Sequence, residues 1–171
     1  MEHKKLQKRD FYFGACLFSF LKNNTDTTPS IIEKLEQTTQ VVKMTTNTSN
    51  DFYIFMKYTK DSKSTNIKAK SWTFHLSDKD KELIENYHNL QCPVYLFFIC
   101  GYLNNNNTPT GEVAIYRYKD YSKIKEKTSI TINLKNSKDR FFNLHISKSD
   151  NDTIGSKRTN IDKKITEIII K

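Results

Sequence analysis

The sequence predicts an α+β fold: a mixed sheet with N-terminal helices packed on it and a C-terminal antiparallel hairpin. Residues 93–103 form an apolar run in which odd and even positions are alike apolar. About ten residues of this kind, rich in β-branched and aromatic side chains, are typical of a strand covered on both faces rather than of a buried helix. Apolar residues recur at helical spacing near the N-terminus and alternate with polar ones near the C-terminus. These periodicities predict helices at one end and a hairpin at the other.

Two helices are predicted before the first strand. Apolar residues at helical spacing predict a helix over residues 6–22 that is buried over most of its circumference. Thr28 followed by Pro29 is typical of a helix start, because threonine caps a helix and proline fits its first position. The apolar stripe that follows, up to Leu35, predicts a short second helix that ends near Gln37.

Strands and a third helix are predicted for the rest of the chain, which we expect to form one domain over residues 1–171. Ser77 with Asp80 three residues later is a capping-box pattern and predicts a helix start. Strands are predicted over residues 39–45, 51–58, 71–76, 93–103 and 113–118, and a hairpin over 130–134 and 142–146. One helical turn is predicted within 120–127, a mobile polar segment over 147–160, and either a helix or a strand over 161–170.

The composition narrows the kind of partner. The 171 residues carry a formal net charge of +9, and the Lys and Arg residues are spread along the chain. Such charge favours polyanions, first nucleic acid and then an acidic membrane surface, although a solvated lysine-rich surface has the same composition. No stretch approaches the roughly twenty apolar residues of a membrane span. Three scattered cysteines indicate neither a disulfide framework nor a zinc site and favour the reducing cytoplasm.

Aromatic residues are interleaved with cations in residues 116–123 and 138–142. Exposed tyrosine can stack on bases while neighbouring cations contact phosphates, although strand alternation also fits Tyr116 and Tyr118 in a core. The lysine-bearing loop 60–70 is a second candidate surface. The cations predicted to contact nucleic acid are Lys57, Lys60, Lys63, Lys70, Arg117, Lys119, Lys123, Lys138 and Arg140.

The predicted order of helix, three strands, helix and strand over residues 28–103 resembles the core of the restriction-endonuclease-like superfamily. Members hold Mg²⁺ with an acid at the start of one strand and an acid-x-lysine motif on the next, and the metal ion activates water. The resemblance implies that Asp51 holds Mg²⁺ together with a glutamate of the preceding helix, Glu36 or alternatively Glu33, and that Lys68 positions the attacking water. Asn66 stands where the motif has its acid, and an amide is a weaker ligand for a hard cation. The resemblance thus implies a Mg²⁺-dependent nuclease or a degenerate, non-catalytic relative.

Each of these residues also has a structural interpretation. Asp51 follows a run of turn residues and fits a turn in which its carboxylate binds backbone amides. Lys68 and Lys70 fit a solvated edge strand, where lysine discourages edge pairing. Glu36 fits the exposed face of a helix. Lys57 is an alternative lysine of the motif, also without an acid beside it.

The sequence therefore favours a basic cytoplasmic domain that associates with nucleic acid, as a degenerate or non-catalytic nuclease-like module. The alternative is a protein-interaction module, a small regulator or inhibitor that binds its partner by strand addition at a sheet edge or at the hairpin 129–147. A tyrosine-rich surface is compatible with a homodimer but does not require one. Binding to anionic membrane is a third interpretation, although the sequence shows no clearly basic amphipathic helix.

Overall fold

Two β-sheets and three helices make up the described part of the chain in the computed structural model. The structure describes residues 6–22, 24–36, 38–47, 51–59, 69–103, 109–134, 138, 140–147 and 152–158, with the backbone alone for 31–36, 103 and 109. In chain order the elements are α1 (Lys8–Leu21), β1 (Thr27–Glu36), β2 (Thr39–Thr46), β3 (Phe52–Thr59), β4 (Lys70–His75), α2 (Asp78–Asn89), β5 (Val94–Leu103), β6 (Pro109–Arg117), α3 (Tyr118–Tyr121), β7 (Ser129–Leu134), β8 (Phe141–His145) and β9 (Thr153–Lys157). The predictions for Lys60, Lys63, Lys68 and 161–170 fall outside the described residues.

The larger sheet has five strands in the order β1-β2-β3-β5-β6. β3 and β5 are parallel and the other neighbours are antiparallel, so the sheet is mixed. The chain crosses from β3 to β5 through β4 and α2, because parallel neighbours need a long connection. β3 is the middle strand, and the apolar run predicted over 93–103 forms β5 beside it. The α+β fold class is confirmed.

The smaller sheet is antiparallel, in the order β4-β7-β8-β9. The predicted hairpin is confirmed as β7 and β8, with Ile132 opposite Leu144. β7 also pairs with β4, and β8 also pairs with β9. Both hairpin strands therefore already have neighbours on each side, and strand addition needs an open edge. The prediction that a partner pairs with this hairpin is wrong.

One hydrophobic core joins the two sheets. Phe98 of β5 lies against Phe74 of β4, with ring centroids 4.9 Å apart, and Ile84 of α2 completes the same cluster. Trp72 of β4 is fully buried, and its indole N–H donates a hydrogen bond to the carbonyl oxygen of Gly101 at 2.9 Å. The smaller sheet and α2 thus cover one face of the larger sheet.

Helix α1 covers the other face of the larger sheet. Its buried side chains are Tyr12, Phe13, Cys16 and Phe20. β5 serves both cores, because its side chains alternate between the α1 side and the side of the smaller sheet. The predicted burial of this strand on both faces is confirmed. The predicted burial of α1 around most of its circumference is wrong, because its outward face is exposed.

The second helix predicted from Thr28 and Pro29 is wrong, because this segment forms strand β1. β1 pairs antiparallel with β2, and Ile31 lies opposite Val42. β1 is an edge strand of its sheet, where proline is tolerated, and its isoleucines are β-branched residues that favour strands. Pairing with β2 therefore overrides the local signals of a helix start.

The polar segment predicted to be mobile contains a fourth strand of the smaller sheet. β9 (Thr153–Lys157) pairs with β8, and the mobility of residues 147–160 stays a prediction. The hydroxyl of Ser156 accepts a hydrogen bond from the backbone N–H of Ile115 at 3.0 Å and donates one to the carbonyl oxygen of Ile115 at 2.9 Å. Ile115 lies in β6, an edge strand, so this serine satisfies backbone groups that an unpaired edge would leave open.

Candidate functional site

Asp51, the acid implied by the nuclease resemblance, immediately precedes β3 and contacts β2. Its carboxylate lies 2.9 Å from the ammonium nitrogen of Lys43 and accepts a hydrogen bond from the backbone N–H of Thr46 at 3.4 Å. The hydrogen bond and charge of Lys43 lower the pKa of Asp51. These contacts agree with the structural interpretation, in which Asp51 is a turn residue.

The backbone separates Asp51 from Glu36, the second carboxylate of the implied metal site. Glu36 lies on strand β1 rather than on a helix, opposite Thr39 at the start of β2. Asp51 lies beside Thr46 at the other end of β2. That strand spans about 23 Å from Thr39 to Thr46 at about 3.3 Å per residue, whereas Mg²⁺ requires ligand oxygens at about 2.1 Å. The prediction that Asp51 and Glu36 hold one metal ion is wrong.

No group of three His, Cys, Asp or Glu residues within the described ranges is arranged to hold a metal ion. Lys68 and Asn66, which the resemblance places at the acid-x-lysine motif, lie outside those ranges. The described residues therefore offer no assembled metal centre that a hydrolytic mechanism could use.

Lys57 is buried rather than exposed to a nucleic acid. Only 3% of the residue is exposed, and its ammonium nitrogen lies 2.5 Å from a carboxylate oxygen of Asp80 and 2.8 Å from the hydroxyl of Thr39. Thr39 in turn donates its hydroxyl hydrogen to the other Asp80 oxygen at 2.9 Å. Because all three groups point into the protein, the prediction that Lys57 contacts phosphate is wrong.

Asp80 also begins helix α2, as the capping-box pattern predicts. It accepts a hydrogen bond from the backbone N–H of Ser77 at 2.9 Å, and its own N–H donates to the Ser77 hydroxyl at 3.2 Å. One carboxylate thus fixes the start of α2 and pairs with Lys57 of β3. The ion pair attaches the helix to the middle strand of the larger sheet.

Lys70 takes part in a polar cluster where the two sheets meet. Its ammonium nitrogen lies 3.1 Å from the centroid of the Tyr102 ring, an arrangement that favours a cation–π interaction. Tyr102 donates a hydrogen bond to Glu112 at 3.2 Å, and Arg158 forms an ion pair with the same carboxylate. Burial lowers the pKa of Lys70. Lys70 therefore links β4 to β5 and is only partly available to a phosphate.

A groove of about 400 Å³ lies where the end of α2 meets the start of β5 and the end of β6. α2 and the turn after it contribute His88 and Gln91. The junction of β6 and α3 contributes Arg117, Tyr118 and Lys119. Two predicted nucleic-acid-binding cations and several aromatic rings therefore share one concave surface, which we call the α2–β6 groove.

Stacked rings form one wall of the α2–β6 groove. The ring centroids of His88 and Tyr118 are 3.4 Å apart and their planes differ by 14°. The Tyr118 hydroxyl donates a hydrogen bond to Glu85 at 2.8 Å. Burial, together with this hydrogen bond, raises the pKa of Tyr118 to about 12, so the phenol is neutral at physiological pH. His88 is exposed and presents the outer ring of the stack to solvent.

The turn that enters the groove has a strained residue. Gln91 has a φ of 57°, and it is the one residue with this property among the described non-glycine residues. Its N–H donates a hydrogen bond to the carbonyl oxygen of His88 at 3.0 Å, which closes the end of α2 in the manner of a left-handed cap. This conformation directs the chain through Cys92 and Pro93, which also line the groove. Backbone strain of this kind is frequent at binding sites.

Cations are unevenly placed around the α2–β6 groove. Arg117 is half-buried and Lys119 is exposed, and Lys123 is exposed four residues further along the chain. Lys138 and Arg140 lie between β7 and β8 of the smaller sheet, are exposed and do not line the groove. The structure therefore brings Arg117 and Lys119 together with aromatic rings, whereas Lys123, Lys138 and Arg140 do not line the groove.

The register of β5 and β6 explains the part of the groove that sequence analysis missed. Tyr95 lies opposite Arg117 in the antiparallel pair, so the start of β5 meets the aromatic and basic end of β6. If the strand over 93–103 had been predicted to pair with the strand that follows it, Tyr95 and Arg117 would have been expected to lie close together. The contribution of His88 depends on how α2 packs, for which the sequence has no local signal.

Comparisons with known proteins give no family for this chain. No family model matches it, and neither a curated protein nor a solved structure does. The resemblance to restriction-endonuclease-like proteins therefore stays a prediction. Across the described ranges, no helix is long and apolar enough to cross a membrane.

Proposed function

We propose that this protein binds single-stranded nucleic acid, without cleaving it, in the α2–β6 groove. The observation that carries the proposal is the presence of Arg117 and Lys119 beside the stacked pair of His88 and Tyr118 in one groove. Proteins that bind single strands combine a basic groove along the phosphates with aromatic rings on which bases stack. The net charge of +9 adds long-range attraction to any polyanion.

The chemistry assigns a role to each wall of the groove. A base can stack on the exposed ring of His88, because Tyr118 supports that ring from the inner side. The guanidinium of Arg117 and the ammonium of Lys119 are the phosphate contacts. A volume of about 400 Å³ lies within the usual range of ligand sites. A non-catalytic nuclease-like module is consistent with this arrangement, because neither the net charge nor the groove depends on Asp51, Glu36 or Asn66.

We expect the double substitution Arg117→Gln/Lys119→Gln to weaken binding to oligothymidine and oligouridine of about 15 nucleotides by at least tenfold at low salt. The salt dependence should also become shallower, by a log–log slope of about 1.4 for two lost phosphate contacts. Fluorescence anisotropy across a salt series measures both quantities. The matched control is Lys79→Gln/Lys81→Gln, which removes the same charge at the opposite end of α2.

The Lys79→Gln/Lys81→Gln control distinguishes binding at a defined site from non-specific electrostatic attraction. Equal losses in the two double variants would show that charge alone attracts the strand, and absence of salt-sensitive binding in the unaltered protein would reject nucleic acid as the ligand. The same titrations with Mg²⁺ test catalysis, and we expect no cleavage products. Products that disappear in Asp51→Ala would instead restore the nuclease interpretation of that residue.

Cys92 provides an independent reporter of the groove, because it lines the groove while Cys16 and Cys100 are buried. Burial raises the pKa of Cys16 to about 12 and that of Cys100 well above its usual value, which suppresses the reactive thiolate. In the native protein we therefore expect one fast thiol equivalent per chain in Ellman titration, absent in Cys92→Ser. Bound oligonucleotide should slow that reaction. More than one fast thiol would contradict the burial of Cys16 and Cys100. Absence of protection would contradict the placement of the ligand in the groove.

Three unpaired cysteines are compatible with the proposed action in the reducing cytoplasm.

The alternative, a protein-interaction module, keeps only the sheet edges as docking elements, because both strands of the hairpin are already paired. Binding to a protein partner by strand addition would change little with salt, whereas binding to nucleic acid should weaken steeply.

A further inference from the structure

Two buried side-chain oxygens between α2 and α3 have no protein partner. They are the hydroxyl of Tyr121 and the Oε1 atom of Glu85, and neither forms a hydrogen bond with a described residue. Tyr121 is 1% exposed, so bulk solvent does not reach its hydroxyl. Buried polar atoms in native proteins nearly always have a protein or water partner, because leaving them unpaired is costly. These two oxygens therefore point to a bound partner.

The two oxygens belong to one polar cluster. The Tyr118 hydroxyl donates a hydrogen bond to Oε2 of Glu85 at 2.8 Å, and the rings of Tyr118 and Tyr121 are 5.8 Å apart between centroids. Burial, and then the charge of Glu85, raise the pKa of Tyr121. Tyr121 is therefore close enough to feel the Glu85 carboxylate, although no hydrogen bond joins them.

We propose that one buried water molecule bridges the Tyr121 hydroxyl and the Oε1 atom of Glu85. The water accepts the hydroxyl hydrogen of Tyr121 and donates one of its own hydrogens to Glu85. The hydroxyl oxygen of Tyr118, bound to the same carboxylate, is the third partner. Buried waters typically form about three hydrogen bonds with groups that the protein leaves unsatisfied, and they occur about once per 27 residues.

Water fits this place better than a metal ion or an empty space. Within the described ranges, no group of three His, Cys, Asp or Glu residues is arranged to hold a metal ion, and hard cations take six or more oxygen ligands. Cavities that stay empty are lined by apolar atoms, whereas a carboxylate and a phenol face this one. Water supplies both the donor that Glu85 needs and the acceptor that Tyr121 needs.

The bridged carboxylate positions the stacked wall of the α2–β6 groove. Glu85 lies three residues before His88 on α2, so the two side chains are neighbours on the helix surface. Glu85 holds the phenol of Tyr118, and that ring stacks on His88. By binding the second oxygen of Glu85, the water fixes the carboxylate that orients Tyr118. Any effect on oligonucleotide binding rests on the proposed function, whereas the water site does not.

Tyr121→Phe tests the bridge, because it removes the hydroxyl and keeps the ring. With a bridging water, the substitution leaves an oxygen of Glu85 poorly satisfied, so the equilibrium constant for unfolding should rise about tenfold. With a dry, unpaired hydroxyl, the same substitution would be neutral or stabilising, because it removes a buried unsatisfied group. Urea unfolding followed by tryptophan fluorescence measures the direction of the change.

Tyr116→Phe is the matched control. The Tyr116 hydroxyl is also buried and forms no hydrogen bond with a described residue. After burial, the charges that raise the pKa of Tyr116 are those of Cys100 and Asp120, and Glu85 is not among them. This control should therefore be milder than Tyr121→Phe. Oxygen-17 relaxation dispersion, which counts long-lived internal waters, should show one water fewer in Tyr121→Phe and no loss in Tyr116→Phe.

A double-mutant cycle tests whether Glu85 is the other end of the bridge. In a Glu85→Met background no carboxylate oxygen remains to be satisfied, so Tyr121→Phe should lose most of its effect. The ring signals of Tyr118 and His88 in NMR spectra should shift in Tyr121→Phe and stay in place in Tyr116→Phe, as expected for a positioning role.

Three results would overturn the proposal. They are a neutral or stabilising Tyr121→Phe, an unchanged count of long-lived waters, and a high-resolution crystal structure in which the two oxygens touch directly. Electron density for a water within hydrogen-bond distance of both oxygens would support it. All these measurements use the protein without oligonucleotide, so failure of the water site and failure of nucleic-acid binding are distinguishable.

Discussion

Asp80→Asn is expected to lower the free energy of unfolding by about 3–5 kcal/mol, because it leaves the charge of Lys57 buried without its counter-ion. Asp80 is fully buried and Lys57 is 3% exposed, so water cannot replace the lost carboxylate. Urea unfolding followed by fluorescence measures the change, since Trp72 is the only tryptophan of the chain and lies in the core. The midpoint should fall while the slope of free energy against urea stays constant.

Two matched variants distinguish charge burial from helix capping. Asp78→Asn removes an exposed carboxylate from the first turn of the same helix and should cost less than about 1 kcal/mol. Lys57→Met/Asp80→Leu removes both charges, and we expect it to be far less destabilising than Asp80→Asn alone, because replacing a buried pair by apolar residues is often neutral. If Asp80→Asn were as mild as Asp78→Asn, the pair would not be desolvated.

The Lys57–Asp80 ion pair also shows which interactions can be predicted from local sequence patterns. The capping box of Ser77 and Asp80 was predictable from spacing alone, because the interaction spans three residues. The ion pair was not, because it depends on how α2 packs against β3. One signal was present: Lys57 is the single charged residue in strand β3, whose other residues are apolar apart from Thr59. A buried lysine is rarely left without a partner.

Strands with alternating apolar residues were predictable, whereas two strands without that pattern were not. β1 begins with residues that also begin helices, and only its pairing with β2 decides between the two structures. β9 is polar and is held through backbone pairing to β8 and through Ser156. Backbone hydrogen bonds leave no pattern in the side chains, so hydrophobic periodicity could not detect β9.

The candidate site was predictable in part for the same reason. Arg117 and Lys119 were found because aromatic and basic residues alternate around them. His88 and Gln91 come from α2 and the turn after it, and they reach the groove because of how α2 packs. Asp51 and Glu36 had suitable chemistry but lie at opposite ends of β2. Residue type identified candidate site residues, but the register of the strands determined which of them lie close together.

Phe98→Ala should be about as destabilising as Asp80→Asn, at about 3–5 kcal/mol. The ring is 1% exposed and lies 4.9 Å from Phe74 and 6.1 Å from Tyr116, measured between ring centroids. Its removal leaves a cavity between the two sheets, because backbones held by strand pairing cannot collapse fully into the space. Urea unfolding measures the loss, and Phe98→Leu should recover most of it by refilling the cavity.

The matched control for Phe98→Ala is Phe141→Ala, which truncates a half-exposed ring on β8 and should cost less than about 1.5 kcal/mol. Equal effects of the two substitutions would mean that the sheets do not pack through Phe98. Because β5 carries Phe98 in the core and Tyr95 at the groove, loosening the core should also weaken oligonucleotide binding when measured on the folded fraction. Unchanged binding by folded Phe98→Ala would show that the β5–β6 pairing positions the groove without the second sheet.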